Sequence, residues 1–484
     1  MTEPAAATRT PPRATHAISR ATRLTASIVA CALFMQQLDS TVIATALPAM
    51  ARAFHANPVD MNVALTSYLL ALAAFIPASG WMADRFGTRN VFRAAIAIFT
   101  LASVLCGRAD SLGFLVAARV LQGLGGAMMV PVGRLVLLRA VPKQELVAAM
   151  AWLSIPALLG PVLGPPLGGL IVTCWSWRWI FDINVPIGIL GFVLVSLFVA
   201  DVREPRPGRL DWRGLLLSGA ALAGLILAVE VGARGVVSPT TTAVIAAAAI
   251  AAAAAYAWHA RRHPAPLLDL SLLRLPTFGV SVASGSLFRI GIGALPFLLP
   301  LMLQLGFGDT AAQSGAITFA SSAGALVMKP VATRVLGWLG FRRTLVVNGL
   351  VAAVLIGACG AFRPAWPVAA IYAVLLVGGF FRSLQFTAYN ALAYGGVARA
   401  RMSAATSLYS TLQQVSLTLG VVVGAAALQI GMAAGGHAAP TLGDFSWAFA
   451  VVAGCCLVAA PACLVLPRDA GDDLVGAPSL RRAP

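Results

Sequence analysis

Apolar runs of about 20 residues, the length an α-helix needs to cross a bilayer, recur along the whole chain between short polar connections. About fourteen runs meet this criterion. They lie at 24–48, 62–83, 91–107, 112–137, 146–173, 180–200, 214–233, 240–259, 277–304, 312–336, 344–362, 367–391, 404–432 and 445–466. The pattern predicts an all-α polytopic membrane protein.

The polar interruptions group the spans as six, two and six. Residues 1–23 read as a polar tail without the apolar core of a cleaved signal peptide. Residues 24–200 form a first six-helix half. Residues 201–275 form a linker carrying two extra spans, opened by the Pro- and Arg-rich stretch Asp201 to Arg213 and closed by a second polar stretch, Ala260 to Pro276. Residues 276–466 form a second six-helix half, and 467–484 a second tail. Within the linker, Ala243 to Ala257 is nearly all alanine. Such a helix offers little packing specificity and no polar handle, so it is expected at the periphery. A weak repeat links the halves: GWMADRFGTR, Gly80 to Arg89, follows the second span, and KPVATRVLGWLGFRR, Lys329 to Arg343, follows the second span of the last set. Both place Ala, a small or acidic residue and Arg at a helix end, then Gly and Arg before the next helix. Paired repeats are how many secondary transporters are built, with the substrate at their interface.

Composition agrees with the pattern. Hydrophobic residues make up 59% of the 484 positions and charged residues 11%, against about 25% charged in soluble domains. The charges are lopsided, with 34 Lys+Arg against 17 Asp+Glu, a formal net of +17. A nucleic-acid partner would need a basic face on a soluble module. Here the basic residues instead alternate between connections, as the positive-inside rule requires. Arg9, Arg13, Arg20 and Arg23 lie in the first tail; Arg85, Arg89 and Arg93, then Arg139 and Lys143, then Arg203, Arg206, Arg209 and Arg213 lie in alternate loops. Arg261, Arg262 and Arg274, then Arg342 and Arg343, then Arg399 and Arg401, and finally Arg468, Arg481 and Arg482 continue the series. Both termini are therefore expected on the cytoplasmic side of the membrane.

Other chemistry is sparse. The seven cysteines lie in or at the ends of apolar runs without paired loop spacing, so neither a disulfide framework nor a zinc site is expected. By hydropathy His16, His55, His259, His263 and His437 fall in tails or loops. There is no nucleophile set, metal cluster or phosphate loop, so no enzyme, cofactor or metal is expected.

Several motifs stand out. Gly80, Asp84, Arg85, Gly87 and Arg89 form a charged, glycine-bracketed loop. Asp84 there can meet a helix N-terminus or an arginine. In the fourth span Arg119 precedes Gln122-Gly123-Leu-Gly125-Gly126, about 10 Å from the helix start at helical rise. In the first span Asp39 precedes Ser40 and Thr41, about 14 Å from the helix end. The similar depths allow Asp39 and Arg119 to pair, which lowers the cost of burying both. The fifth span carries Gly160-Pro161 and, after two residues, Gly164-Pro165-Pro166-Leu-Gly168-Gly169. Glycines four apart share one face and admit a close neighbour, while the prolines loosen the helix ladder. After it come Trp175-Ser-Trp177-Arg178-Trp179-Ile-Phe181-Asp182-Ile-Asn184-Val-Pro186-Ile-Gly188.

Together these segments resemble the signature loop, fourth-helix arginine, antiporter GPxxGG motif and first-helix Asp of the major facilitator superfamily. Within it they are similar to the fourteen-span drug:proton antiporter branch of EmrB/QacA type, and Phe288-Arg289-Ile-Gly291 and Phe381-Arg382-Ser-Leu-Gln385-Phe look closest to its MdtD-like members. Asp182 departs from the apolar residue usual in that branch. The resemblance implies the major facilitator fold and a proton-coupled antiporter exporting small amphipathic compounds by alternating access, working as a monomer on small molecules and protons within the lipid bilayer. It assigns proton coupling to Asp39 and Arg119, a cytoplasmic latch to the Gly80–Arg89 loop, and a hinge to the fifth-span glycines and prolines.

Gln36, Arg289, Gln304, Arg382, Gln385 and Asn390 are candidates for lining the substrate cavity. Against these arginines the clear intramembrane acids are Asp39 and, near an outer end, Glu230. That balance raises a second expectation, export of an organic anion or its metal chelate. A non-transporting sensor is the third.

Overall fold

The computed structural model describes residues 19–54, 62–201, 209–234, 237–309, 311–436 and 440–475. The first half contains α1 (Arg20–Ala53), α2 (Asn62–Phe75), α3 (Ser79–Phe86), α4 (Thr88–Gly107), α5 (Leu112–Ala140), α6 (Leu146–Cys174), the short α7 (Trp179–Asp182) and α8 (Asn184–Phe198). The inserted pair is α9 (Trp212–Arg234) and α10 (Pro239–Arg262). There follow α11 (Pro276–Leu301), α12 (Ala311–Met328), α13 (Ala332–Leu339), α14 (Phe341–Cys359), α15 (Val368–Gly395), α16 (Met402–Gly435) and α17 (Leu442–Ala462). Every predicted span is helical. Eleven spans among the described residues are individually long and apolar enough to cross a membrane. The other three predicted spans are α2 with α3, α6 and α9.

Local chemistry sets the helix ends. Ser19, Ser111 and Ser238 cap α1, α5 and α10 by accepting the backbone N–H three residues on, which satisfies a donor that the helix cannot. Thr441 and Asp444 form a reciprocal capping box at α17. The span-two apolar run hides a break: Pro77 sits in a 3-10 turn, Ile76–Ala78, that separates α2 from α3.

The repeat between the halves is explicit in the backbone. Pro330 sits in the matching 3-10 turn Lys329–Val331, followed by an eight-residue α13 as Pro77 is followed by an eight-residue α3. Gly87 (φ 89°) and Gly340 (φ 75°) then turn the chain into α4 and α14 in a left-handed conformation that favours glycine. This register differs by one helical turn from matching Ala83–Arg85 with Ala332–Arg334. Asp84 corresponds to Gly337, so the second half has no acidic counterpart of Asp84 at this position.

Helices α1 and α6 pack closely, and α11 and α16 repeat that packing. A Cβ on Gly160 would lie 2.6 Å from Gln37 Cβ, and one on Gly164 would lie 2.0 Å from Thr41 Oγ1. The mirrored seam uses Gly420 against the Ile290 carbonyl, 2.4 Å, and Gly424 against Ala294 Cβ, 3.0 Å. The halves meet through α3, α5 and α6 on one side and α12, α13, α15 and α16 on the other.

Of the inserted pair, α9 packs on α2 and α16, while α10 rests mainly on α9. The alanine-rich helix is thus peripheral, but it does have a polar handle. Tyr256 is buried, accepts the Leu268 N–H at 2.6 Å and donates to the Leu268 carbonyl at 3.0 Å.

Candidate functional site

Asp39 and Arg119 come together in the first half. Arg119 Nη1 lies 2.7 Å from Asp39 Oδ2, and both side chains are buried, at 0% and 1% exposure. Snorkelling of Arg119 to the interface is excluded by that burial. Ser40 and Thr41 turn back on their own helix, donating to the Gln37 carbonyl at 2.8 and 3.0 Å, so Asp39 is not their cap. Two further donors fill the carboxylate: Gln122 Nε2 and Asn184 Nδ2, each 2.9 Å from Oδ1. Both amides also donate to Ser103 Oγ, at 2.8 and 3.3 Å. Arg119 Nε donates to the Ala64 carbonyl at 3.1 Å, and its guanidinium lies 4.5 Å from the centre of the Tyr68 ring, a favourable cation–π placement. Five helices, α1, α2, α4, α5 and α8, thereby converge on one carboxylate.

The partners had different visibility in sequence. Gln122 follows Arg119 by one turn and so shares its face. Ser103 is a neutral residue inside an apolar run that nothing local marks, and Asn184 lies in the segment 175–188, which by itself gave it no role. Asp182, two residues before Asn184, pairs with Arg108 at 3.2 Å and ties α7 to the end of α4.

A second cluster lies between the halves. Arg134 on α5 donates to Tyr394 Oη at 3.3 Å, Ser410 Oγ at 3.4 Å and Gln413 Oε1 at 3.4 Å, all on the second half. Its guanidinium lies 5.7 Å from the Tyr409 ring centre, and that of Arg289 lies 4.8 Å from the same ring. Arg289 also donates to Tyr409 Oη. Among the described residues no carboxylate pairs with Arg134, Arg289 or Arg382. Arg134 was hidden in sequence because it lies five residues before Arg139 and reads as the flank of a span.

The other cavity candidates scatter. Arg382 turns to α12, donating to Ser321 Oγ, and does not share the ring held by Arg134 and Arg289. Gln385 is used in helix packing: it donates to the Leu345 carbonyl at 2.8 Å and accepts from Asn348 at 2.7 Å. Asn390 donates to its own helix at the Phe386 carbonyl, 2.9 Å. Gln36 is buried beside Gly126 and occupies in the first half the position of Arg289 in the second, since Gln37 meets Gly160 as Ile290 meets Gly420. The side chains of Gln304 and Glu230 lie outside the described residues. Lys329, in the sequence only the first residue of the repeat, is buried and donates to Thr387 Oγ1 at 3.0 Å.

In the signature loop, Asp84 accepts from Arg139 Nη2 at 2.8 Å and from Ser403 Oγ at the start of α16. Gly80 lies against the same helix: a Cβ there would stand 2.7 Å from the Ser403 carbonyl. Ser407 donates to the Pro77 carbonyl at 2.7 Å. Arg85 is exposed and Arg89 half-buried. In α6 the helix runs unbroken through Pro161, Pro165 and Pro166, with Gly160, Gly164 and Gly168 buried. The side chains of the three prolines and Gly169 lie outside the described residues.

The sequence pattern of the Major Facilitator Superfamily matches residues 29–421. The chain belongs to the major facilitator superfamily. It is a multi-pass membrane transporter, not an enzyme. It is 39% identical over 408 residues to the putative multidrug resistance protein MdtD of Enterobacter sp. (strain 638), covering 84% of this chain and 85% of that one. It is 38% identical over 457 residues to the protein of the same name from Klebsiella pneumoniae, covering 93% and 95%. Among solved structures, the fold is similar to that of the proton:xylose symporter XylE (TM-score 0.65, 15% identity, 95% of this chain and 98% of that one). It is also similar to that of the human organic anion transporter MFSD10 (TM-score 0.63, 15% identity, 91% and 99%). As a transporter of this superfamily, the chain moves small molecules.

Proposed function

We propose that this transporter is a proton-coupled exporter of small amphipathic compounds, working by alternating access in a bacterial inner membrane with both termini cytoplasmic. One observation carries the reading: a buried carboxylate, Asp39, held by Arg119 and Gln122 of α5 and Asn184 of α8. Each neighbour presents a donor, so the oxygens act as acceptors, the role of an ionised carboxylate. Binding a proton at Asp39 removes the partner charge of Arg119 and weakens the tie between α1 and α5. That couples protonation to helix position. The halves, 24–200 and 276–466, then rock about their interface. The Asp84–Arg139–Ser403 contact holds the end of the molecule that the charge pattern assigns to the cytoplasm. The glycine seams of α6 and α16 keep α1 and α11 close during the movement. The chain works as a monomer. The relatives' designation as multidrug resistance proteins supports drugs as cargo.

A second reading, export of an organic anion or its metal chelate, is favoured by Arg134 and Arg289, two guanidinium groups from opposite halves that share Tyr409 without a carboxylate. The two readings separate in inside-out vesicles energised by a pH gradient, loaded either with a fluorescent amphipathic dye or with radiolabelled di- and tricarboxylates. Drug export predicts dye movement that Asp39→Asn abolishes, and dye movement indifferent to the gradient would remove the proton-coupling claim. Anion export predicts carboxylate movement that Arg289→Ala or Arg134→Ala abolishes while any dye movement persists.

A further inference from the structure

Asp211, His259 and His263 fall in the linker, where hydropathy gives them no role. In the structure Asp211 immediately precedes α9, His259 lies in the last turn of α10, and His263 is the residue that ends it. One potential ligand atom from each lies within 4.8 Å of the others. His259 Nε2 is 2.8 Å from Asp211 Oδ1, and the two imidazole rings stand 5.1 Å apart. Histidines four apart share one helix face, the spacing that lets two imidazoles meet one ion.

We propose that Asp211, His259 and His263 form a binding site for a divalent transition-metal ion of the zinc type. Two imidazoles and one carboxylate select such an ion over magnesium or calcium, which take oxygen ligands. Tetrahedral bonds of about 2.0–2.1 Å need donors about 3.4 Å apart. The donors, within 4.8 Å of one another, would close by at most about 1.4 Å around an ion.

The surroundings fit. Asp211 is oriented from behind: Gly214 N–H donates to Oδ1 at 2.8 Å and Leu267 N–H to Oδ2 at 3.3 Å. Outer partners of this kind fix a ligand's direction. His263, alone of the three ligands, borders a cavity of ≈850 Å³ that also reaches Ala260, Pro264 and Ser271, so the site is open on its His263 side. Of the nearby cations, Arg262 lies over the Trp258 ring at 4.2 Å, while Arg261, Arg274 and Arg401 line the cavity beside Asp269. A bound ion would join the start of α9 to the end of α10 and stiffen the base of the inserted pair.

The test uses the full chain purified with a histidine-free affinity tag and titrated with cobalt(II) as a spectroscopic substitute for zinc. The expected result is one ion per chain with tetrahedral ligand-field bands, displaced by zinc. His263→Gln keeps the Asp211–His259 contact, and binding is expected to weaken at least about tenfold. His263→Cys retains a ligand, so binding persists with a new sulfur-to-cobalt charge-transfer band. That band distinguishes a ligand from a residue needed only for folding. Wild-type protein that takes up no cobalt, binding unchanged in His263→Gln, or a His263→Cys variant that binds cobalt without the new band would each overturn the site.

Discussion

At the scale of single residues, the central object is a charge pair removed from water. Such a pair is costly to break from one side, because the abandoned charge stays buried, at about 3–5 kcal/mol. Arg119→Met alone is therefore expected to reduce thermal stability strongly in detergent. Asp39→Asn with Arg119→Met leaves no stranded charge and is expected to recover most of that loss without recovering transport. Equal instability of the single and double variants, read by a thermal-shift assay, would contradict the pairing energetics. Asp39 and Arg119 were legible because ionisable residues inside apolar runs are rare and conspicuous. Gln122, Ser103 and Asn184 complete the same site, yet neutral polar residues in a span leave no mark on hydropathy or charge. Arg134 was masked by position, since a cation near the end of a run reads as the border of the membrane, while Lys329 was read only as the first residue of the repeat.

At the scale of elements, all fourteen helical stretches could be read from hydropathy, but the breaks within them could not. The 3-10 turns at Pro77 and Pro330 lie inside apolar runs, and only backbone geometry shows the register of the repeat. The glycine seams follow a rule the sequence does carry, small residues four apart, although their partners had to be seen in space. Gly164→Ala would place a methyl 2.0 Å from Thr41 Oγ1. It is expected to lower stability by about 1–3 kcal/mol through overpacking and to slow transport. Gly337→Ala, where no atom lies within 4 Å, is the matched control and should behave as wild type. Outside the membrane, the start of α16 is tethered by Arg401 Nη2 to Asp269 Oδ2 at 2.6 Å. Burial pushes the Asp269 carboxyl up, but hydrogen bonds from Ser271 and the Arg401 guanidinium outweigh it and hold the group below the ordinary carboxylate range. The tether is therefore complete above the ordinary aspartate value of about 3.9 and is lost as pH falls through the lower folded value. Hydrogen exchange of the Ser271 amide, taken relative to its intrinsic rate at each pH, should accelerate on that acid limb. In Asp269→Asn it should already be fast at neutral pH, with no acid-dependent step, and an acid limb that survives the substitution would remove the tether.

At the scale of the whole molecule, the two halves are joined at the end carrying Asp84 by the bond from Ser403, with Arg139 holding Asp84 from within its own half, and, deeper, by Arg134 with Tyr394, Ser410 and Gln413. These polar contacts sit on an apolar core that the two halves share. They can break and re-form as the halves move. Spin labels on α3 and α16 are expected to show one short distance in wild type and an added longer one in Asp84→Asn. A distance distribution unaffected by Asp84→Asn would deny the loop its latching role. The account rests on protonation of Asp39 being linked to cargo binding. The most direct measurement is proton release from the purified transporter in weakly buffered detergent solution, followed with a pH indicator as the exported dye is added. Wild type is expected to release protons in proportion to dye bound, and Asp39→Asn to bind dye without release. Release of the same size from Asp39→Asn would contradict the account.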